Sequence, residues 1–273
     1  MTTAPLSARR QERDGVRWIA AGPVPVVLLH GLTDSSACWP TVLPRLAAHR
    51  TVLAFDARGH GGTPLPDEPF TISALAEDVA AALRAVRLGP ALVVGHSMGG
   101  VTAEQLALTH PDLVAGLVLE DPAWHDGPDS AAMPAWLAPE LARVAGRTVE
   151  QIAAAGRTQL VGWSQEEIAG WADSETRLDP RLASVPHDWS ERDWVEVAAG
   201  LRVPVTLLTA EVARGAVVRP DQAERVGTLL GSAPDGLLTH VPVAGVGHNI
   251  RREAPDVYLA ALATAVARAD AAH

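Results

Sequence analysis

Lysine is absent: all 22 basic residues of this 273-residue chain are arginine. That excludes Schiff-base chemistry, a serine-lysine dyad and a lysine-bearing phosphate loop. Cysteine occurs once, at Cys38, so there is neither an intramolecular disulfide nor a cysteine metal cluster, and a reducing compartment fits. No apolar run reaches membrane-spanning length. Residues 1–14 carry arginines and acids rather than an apolar signal core, and the expected location is cytoplasmic. Positive charge is scarce as well: 32 acidic residues leave a net charge of -10, which argues against nucleic acid or an anionic membrane as partner. The ten histidines lack metal-ligand spacing, and no dinucleotide fingerprint is present, so neither metal nor cofactor is expected.

What is present is a large apolar fraction, 48% of residues, enough for one sizeable core with or without an inserted subdomain. Apolar, β-branched runs at 24–29, 51–55, 91–94, 113–119, 203–208 and 237–243 read as buried strands. Helical spacing marks 40–49, 72–86, 98–109, 220–230 and about 253–268. Such alternation predicts an α/β fold, a mostly parallel, doubly wound sheet with helices on both faces. Between about 122 and 190 the strands give way to tryptophan, proline and charged helical turns. The expected division is a core of 1–121 and 196–273 with a helical cap, 122–195, inserted in it.

The run Ala91-Leu92-Val93-Val94 leads into Gly95-His96-Ser97-Met98-Gly99. A strand entering a sharp turn and then a helix lifts the central serine out of the backbone, and glycine flanks it because strand and helix pack closely there. Ser97 is the candidate nucleophile. Three further motifs stand in order around it: His30-Gly31, Asp56-Ala57-Arg58-Gly59-His60-Gly61, and Gly247-His248 after the last strand. Together these resemble a capped, single-domain α/β-hydrolase over nearly the whole chain, of the serine hydrolase, esterase or lactonase kind.

That resemblance implies a serine, an acid and a histidine in that chain order, with an oxyanion hole of backbone amides. His248, on the glycine-rich loop after the last strand, is the expected base. The histidines 30, 60 and 96 sit inside motif turns and are expected to be structural. The oxyanion donors are expected to be the N–H of Met98, at a helix start, and that of Leu32. The acid is open. The commoner family position falls at Ala213, with Glu211 two residues away, whereas a minority arrangement, as in some haloalkane dehalogenases and resorcylic lactone hydrolases, places it after the strand following the elbow helix. Asp121 stands there, 24 residues beyond Ser97, and is the first choice; Glu211 and Glu120 remain alternatives.

Six of the eight tryptophans fall in the cap stretch, a composition suited to a bulky apolar or aromatic group. Trp124 and Trp136 are the expected substrate contacts, the others packing anchors at least in part. The function expected is hydrolysis of an apolar or aromatic carboxylic ester or lactone through an acyl-enzyme. Amide or C–C bond hydrolysis on the same triad, or a non-catalytic small-ligand receptor, are the alternatives. Oligomeric state has no signal in the sequence.

Overall fold

A computed structural model describes residues 11–13, 16–19, 24–125, 133–189, 192–231 and 236–272. Its strands are β1 (Gln11–Arg13), β2 (Val16–Ile19), β3 (Val26–Leu29), β4 (Val52–Phe55), β5 (Phe70–Thr71), β6 (Ala91–His96), β7 (Val114–Glu120), β8 (His187–Asp188), β9 (Val205–Thr209) and β10 (Leu238–Pro242). The helices are α1 (Leu43–Ala47), α2 (Ile72–Ala85), α3 (Met98–Thr109), α4 (Met133–Val144), α5 (Val149–Gln159), α6 (Gln165–Thr176), α7 (Pro220–Gly231), α8 (Ile250–Glu253) and α9 (Pro255–Ala272). Eight strands form one sheet in the order β1-β2-β4-β3-β6-β7-β9-β10. The six from β4 to β10 in that order pair in parallel, and the β1–β2 hairpin joins β4 antiparallel.

Alternation along the strands sends side chains to two cores. Val27, Leu29 and Val93 pack on one face with residues of α2, α3 and α7, whereas Val26, Leu28 and Val94 pack on the other with α1 and α9. The helices therefore cover both faces, as period-two strands buried on each side require. Each of the six strands read from the apolar runs is found, with ends shifted by at most two residues.

Helices α4, α5 and α6 stand between β7 and β9, in the stretch read as a cap. α5 and α6 share a small core of Ile152, Ala153, Ile168, Trp171 and Ala172. The short pair β5–β8 ties Phe70 to His187 in parallel and so links the chain beyond α6 to the main body. α6 itself docks on the loop after β3: Ser174 Oγ lies 2.6 Å from Ser35 Oγ, Thr41 donates to Glu167, and a Cβ on Gly170 would stand 2.5 Å from the Ala37 carbonyl oxygen. Among the described residues no helix is long and apolar enough to cross a membrane.

Candidate active site

Parallel register brings the candidate residues together before any side chain is considered. His96 of β6 pairs with Glu120 of β7, so the next residue on each strand, Ser97 and Asp121, emerges at the same carboxyl edge of the sheet. Both leave their strands in a left-handed conformation, φ 52° at Ser97 and 38° at Asp121, strained for residues bearing a Cβ. Backbone bonds over-determine the pair: the Ser97 N–H donates to Glu120 O at 3.0 Å and the Ala123 N–H to Ser97 O at 3.1 Å. The elbow glycines are needed for space. A Cβ on Gly95 would meet Gly99 O at 2.2 Å, and one on Gly99 would meet Leu29 O at 2.2 Å.

His248 lies on the loop after β10 and donates from Nδ1 to Asp121 Oδ2 at 2.5 Å. The Asp121 side chain is fully buried, and its two oxygens accept from the Val217 and Val218 N–H groups at 2.8 and 3.0 Å. Such a carboxylate is charge-assisted and directionally fixed, and it sets the tautomer that leaves His248 Nε2 as a proton acceptor. The other two acidic alternatives lie elsewhere. Glu120 accepts from the Arg251 N–H at 2.8 Å and its guanidinium at 3.2 Å. Glu211, exposed, accepts from the Gly245 N–H and from Arg214. Of the three, Asp121 alone meets the imidazole.

Histidines within the motifs act as struts. His96 donates from Nε2 to the His248 carbonyl at 3.0 Å, with ring centroids 4.6 Å apart. His30 accepts from the Ala57 N–H at 3.0 Å and donates to Gly31 O at 2.8 Å. His60 sits between the Leu32 and Arg58 carbonyls, at 2.5 and 2.9 Å, and a neutral ring donates to one of them. Burial pushes His60 down to about 4, with His30 beside it adding to the shift. Two of the three buttress the Gly31–Leu32 turn, whose N–H at Leu32 is one expected oxyanion donor. Met98 opens α3 directly after Ser97, where first-turn N–H groups have no acceptor inside the helix.

Ser97, His248 and Leu32 line one cavity of about 530 Å³. Four indoles face it, from Trp136, Trp163, Trp171 and Trp189. Trp136, half exposed, is where the sequence placed it. Trp124 is not: at 2% exposure it packs in the core and donates from Nε1 to Glu104 Oε2 at 2.8 Å, outside the cavity lining. Proximity in sequence to Asp121 misdirected that expectation: the neighbouring His125 lines the cavity, whereas the Trp124 ring turns to Glu104 of α3. Trp163, Trp171 and Trp189 carry the aromatic wall instead.

At the cavity's polar end lies a buried ion network, two of whose members, Asp34 and Arg252, line the cavity. Arg251 joins Glu120 to Asp34 Oδ2 at 2.7 Å, and Arg252 joins Asp34 Oδ1 at 2.9 Å to Glu167 Oε2 of α6 at 3.2 Å. Burial alone would raise the Asp34 carboxyl, but Arg252 and Arg251 outweigh it and hold it well below the usual range. Each guanidinium also stacks on an indole, Arg251 on Trp39 at 4.6 Å and Arg252 on Trp163 at 4.4 Å. One shared carboxylate thus connects the turn after Leu32, the histidine loop and the cap. Nothing in the local pattern of Arg251-Arg252 distinguishes them from surface charge on a helix.

A mostly parallel sheet with helices on both faces and an elbow of this kind at its carboxyl edge is the arrangement of the α/β-hydrolases. The chain belongs to that family: the family model described as alpha/beta hydrolase fold matches residues 24–210. It is similar to lipase LipV of Mycobacterium tuberculosis (strain ATCC 25618 / H37Rv), 43% identical over 110 residues, 39% of this chain and 40% of that protein. It is also similar to 2-(acetamidomethylene)succinate hydrolase of Mesorhizobium japonicum, 35% identical over 106 residues, 39% of this chain and 38% of that protein. Both matches span about two fifths of the relative's length. Among solved structures, the esterase RhEst1 from Rhodococcus sp. ECU1013 superposes with a TM-score of 0.69 at 25% identity, covering 92% of this chain and 94% of that one.

Proposed function

We propose that the protein is a serine hydrolase that cleaves a carboxylic ester or lactone of an apolar or aromatic compound through an acyl-enzyme. The observation that carries this reading is the 2.5 Å bond from His248 Nδ1 to the fully buried Asp121 carboxylate, at the cavity lined by the elbow serine. Ser97 Oγ adds to the substrate carbonyl carbon while its proton passes to His248 Nε2, and the carbonyl electron pair moves onto oxygen. That oxyanion is met by the N–H groups of Leu32 and Met98, the latter with the α3 dipole behind it. Collapse re-forms the carbonyl, breaks the bond to the leaving alkoxide, and returns the proton from His248 to it. Water then repeats the cycle on the acyl-enzyme and frees Ser97.

Aromatic walls of the cavity support an apolar substrate, and the esterase and lipase names of the similar proteins support ester chemistry. A fluorophosphonate probe should label the protein at Ser97, and a chromogenic ester should give burst release; Ser97→Ala should abolish both. Undiminished labelling or burst in that variant would rule the assignment out.

A further inference from the structure

The cavity's polar end is not the cationic subsite its one arginine suggests. Arg252 belongs to the lining, yet each of its three nitrogens already donates: Nε to Glu167, one terminal nitrogen to Asp34, the other to Asn249 Oδ1 at 2.8 Å. Arg251 is matched in the same way by Glu120 and Asp34. Two guanidinium groups therefore face three carboxyl groups, and Asp34 itself lines the cavity. No net positive charge is left to receive an anion, and a carboxylate placed there would be desolvated against Asp34.

The arrangement leaves a neutral donor instead. Guanidinium donates only, so the Asn249 atom facing Arg252 is the amide oxygen, and the NH2 end is the one turned away. Arg252 is held by Asp34, Glu167 and the Trp163 ring, so the amide orientation is fixed from behind. Asn249 is partly exposed, lines the cavity and follows His248 directly. Its NH2 has no hydrogen-bond partner among the described residues.

Resting on the ester-hydrolase reading, we infer that Asn249 is a specificity-determining residue whose NH2 recognises a neutral hydrogen-bond acceptor close to the scissile carbonyl. The substrate class is thus an uncharged aromatic ester or lactone bearing an ether, hydroxyl or carbonyl oxygen, and esters carrying a carboxylate at that position are rejected. Trp163, stacked on Arg252, lines the same cavity.

Three matched esters test this: methyl α-methoxyphenylacetate, its CH2 isostere methyl 2-phenylbutanoate, and monomethyl phenylmalonate, which puts a carboxylate at the same position. The wild-type kcat/KM should favour the methoxy ester over the isostere by roughly 3- to 10-fold, the ratio one neutral hydrogen bond confers, and should be lowest for the malonate. Asn249→Ala should bring the methoxy-to-isostere ratio close to one. Asn249→Asp keeps the acceptor for Arg252 but replaces the donor by a carboxylate oxygen, and should push the ratio below one. Binding of the same three compounds to the Ser97→Ala protein, followed by tryptophan fluorescence, should rank them in the same order. Fluorophosphonate labelling reads the nucleophile, whereas these ratios read the donor, so the two assignments fail separately. A methoxy-to-isostere ratio unchanged in both Asn249 variants, or a malonate ester bound as tightly as the methoxy ester, would overturn the inference.

Discussion

Asp121 takes three hydrogen bonds on two oxygens: one from His248 and two from the Val217 and Val218 amides. Replacing it by asparagine keeps the size but puts an NH2 where one of those donors must dock, and the imidazole loses the partner that sets its tautomer. Asp121→Asn should lower kcat on a chromogenic ester by about 10³- to 10⁴-fold, while Glu211→Gln should stay within a few-fold, because Glu211 serves only Gly245 and Arg214. The reverse result would transfer the acid to the loop after β9. The choice among three carboxylates was not decidable from spacing alone. It depends on how each side chain turns where the strand ends: Glu120, the last residue of β7, turns to Arg251, and Asp121, leaving the strand at φ 38°, turns to His248.

At the scale of elements, the strands were legible because those buried on both faces are continuous apolar runs, and α3 because it follows the elbow. The hairpin β1–β2 was not, since Gln11–Arg13 reads GlnGluArg and carries no apolar alternation. Nor were β5 and β8, at two residues each too short for any period. The ion network was invisible for another reason: Arg251 and Arg252 find partners 85 to 218 residues away. Through that network α6 is bound by Glu167, which accepts from Thr41 and Arg252. Glu167→Ala should cost about 3–5 kcal/mol by leaving a buried guanidinium underpaired, measured by denaturant unfolding. It should also raise KM, because Arg252 underlies Trp163. A loss of stability without any change in KM would mean that the cap's docking and its cavity wall are independent.

For the molecule as a whole, buried titratable groups set opposing pH slopes. His30, His60, His96 and His187 are all lowered by burial, His60 from 6.5 to about 4. The unfolded chain therefore binds more protons than the fold as pH falls below about 6.5, and these histidines withdraw stability as pH falls, His60 until about 4. Buried carboxyls act in the other sense. Burial raises Glu104 from 4.5 to about 8 and Glu175 to about 7, so the fold holds protons that the unfolded chain has shed, and stability is lost as pH rises through that window. Well above 6.5 the unfolded histidines are neutral too and only the carboxyl slope remains among these groups: the melting temperature should fall as pH rises from about 7.5 to 8.5. Glu104→Gln should flatten the fall, gaining about 1–3 kcal/mol at pH 8 while still accepting from Trp124. An unaltered slope in that variant would place the ionisation elsewhere.

The amides of Val217 and Val218 that grip Asp121 belong to the segment that follows β9, as does His248, whereas Ser97 and Asp121 belong to the segment before the cap. Neither stretch of chain holds a working half of the site. Any chemistry at Ser97 therefore reports long-range closure: it requires that the last quarter of the chain, which brings β9 and β10 to the sheet, has docked against strands that lie before the cap in sequence.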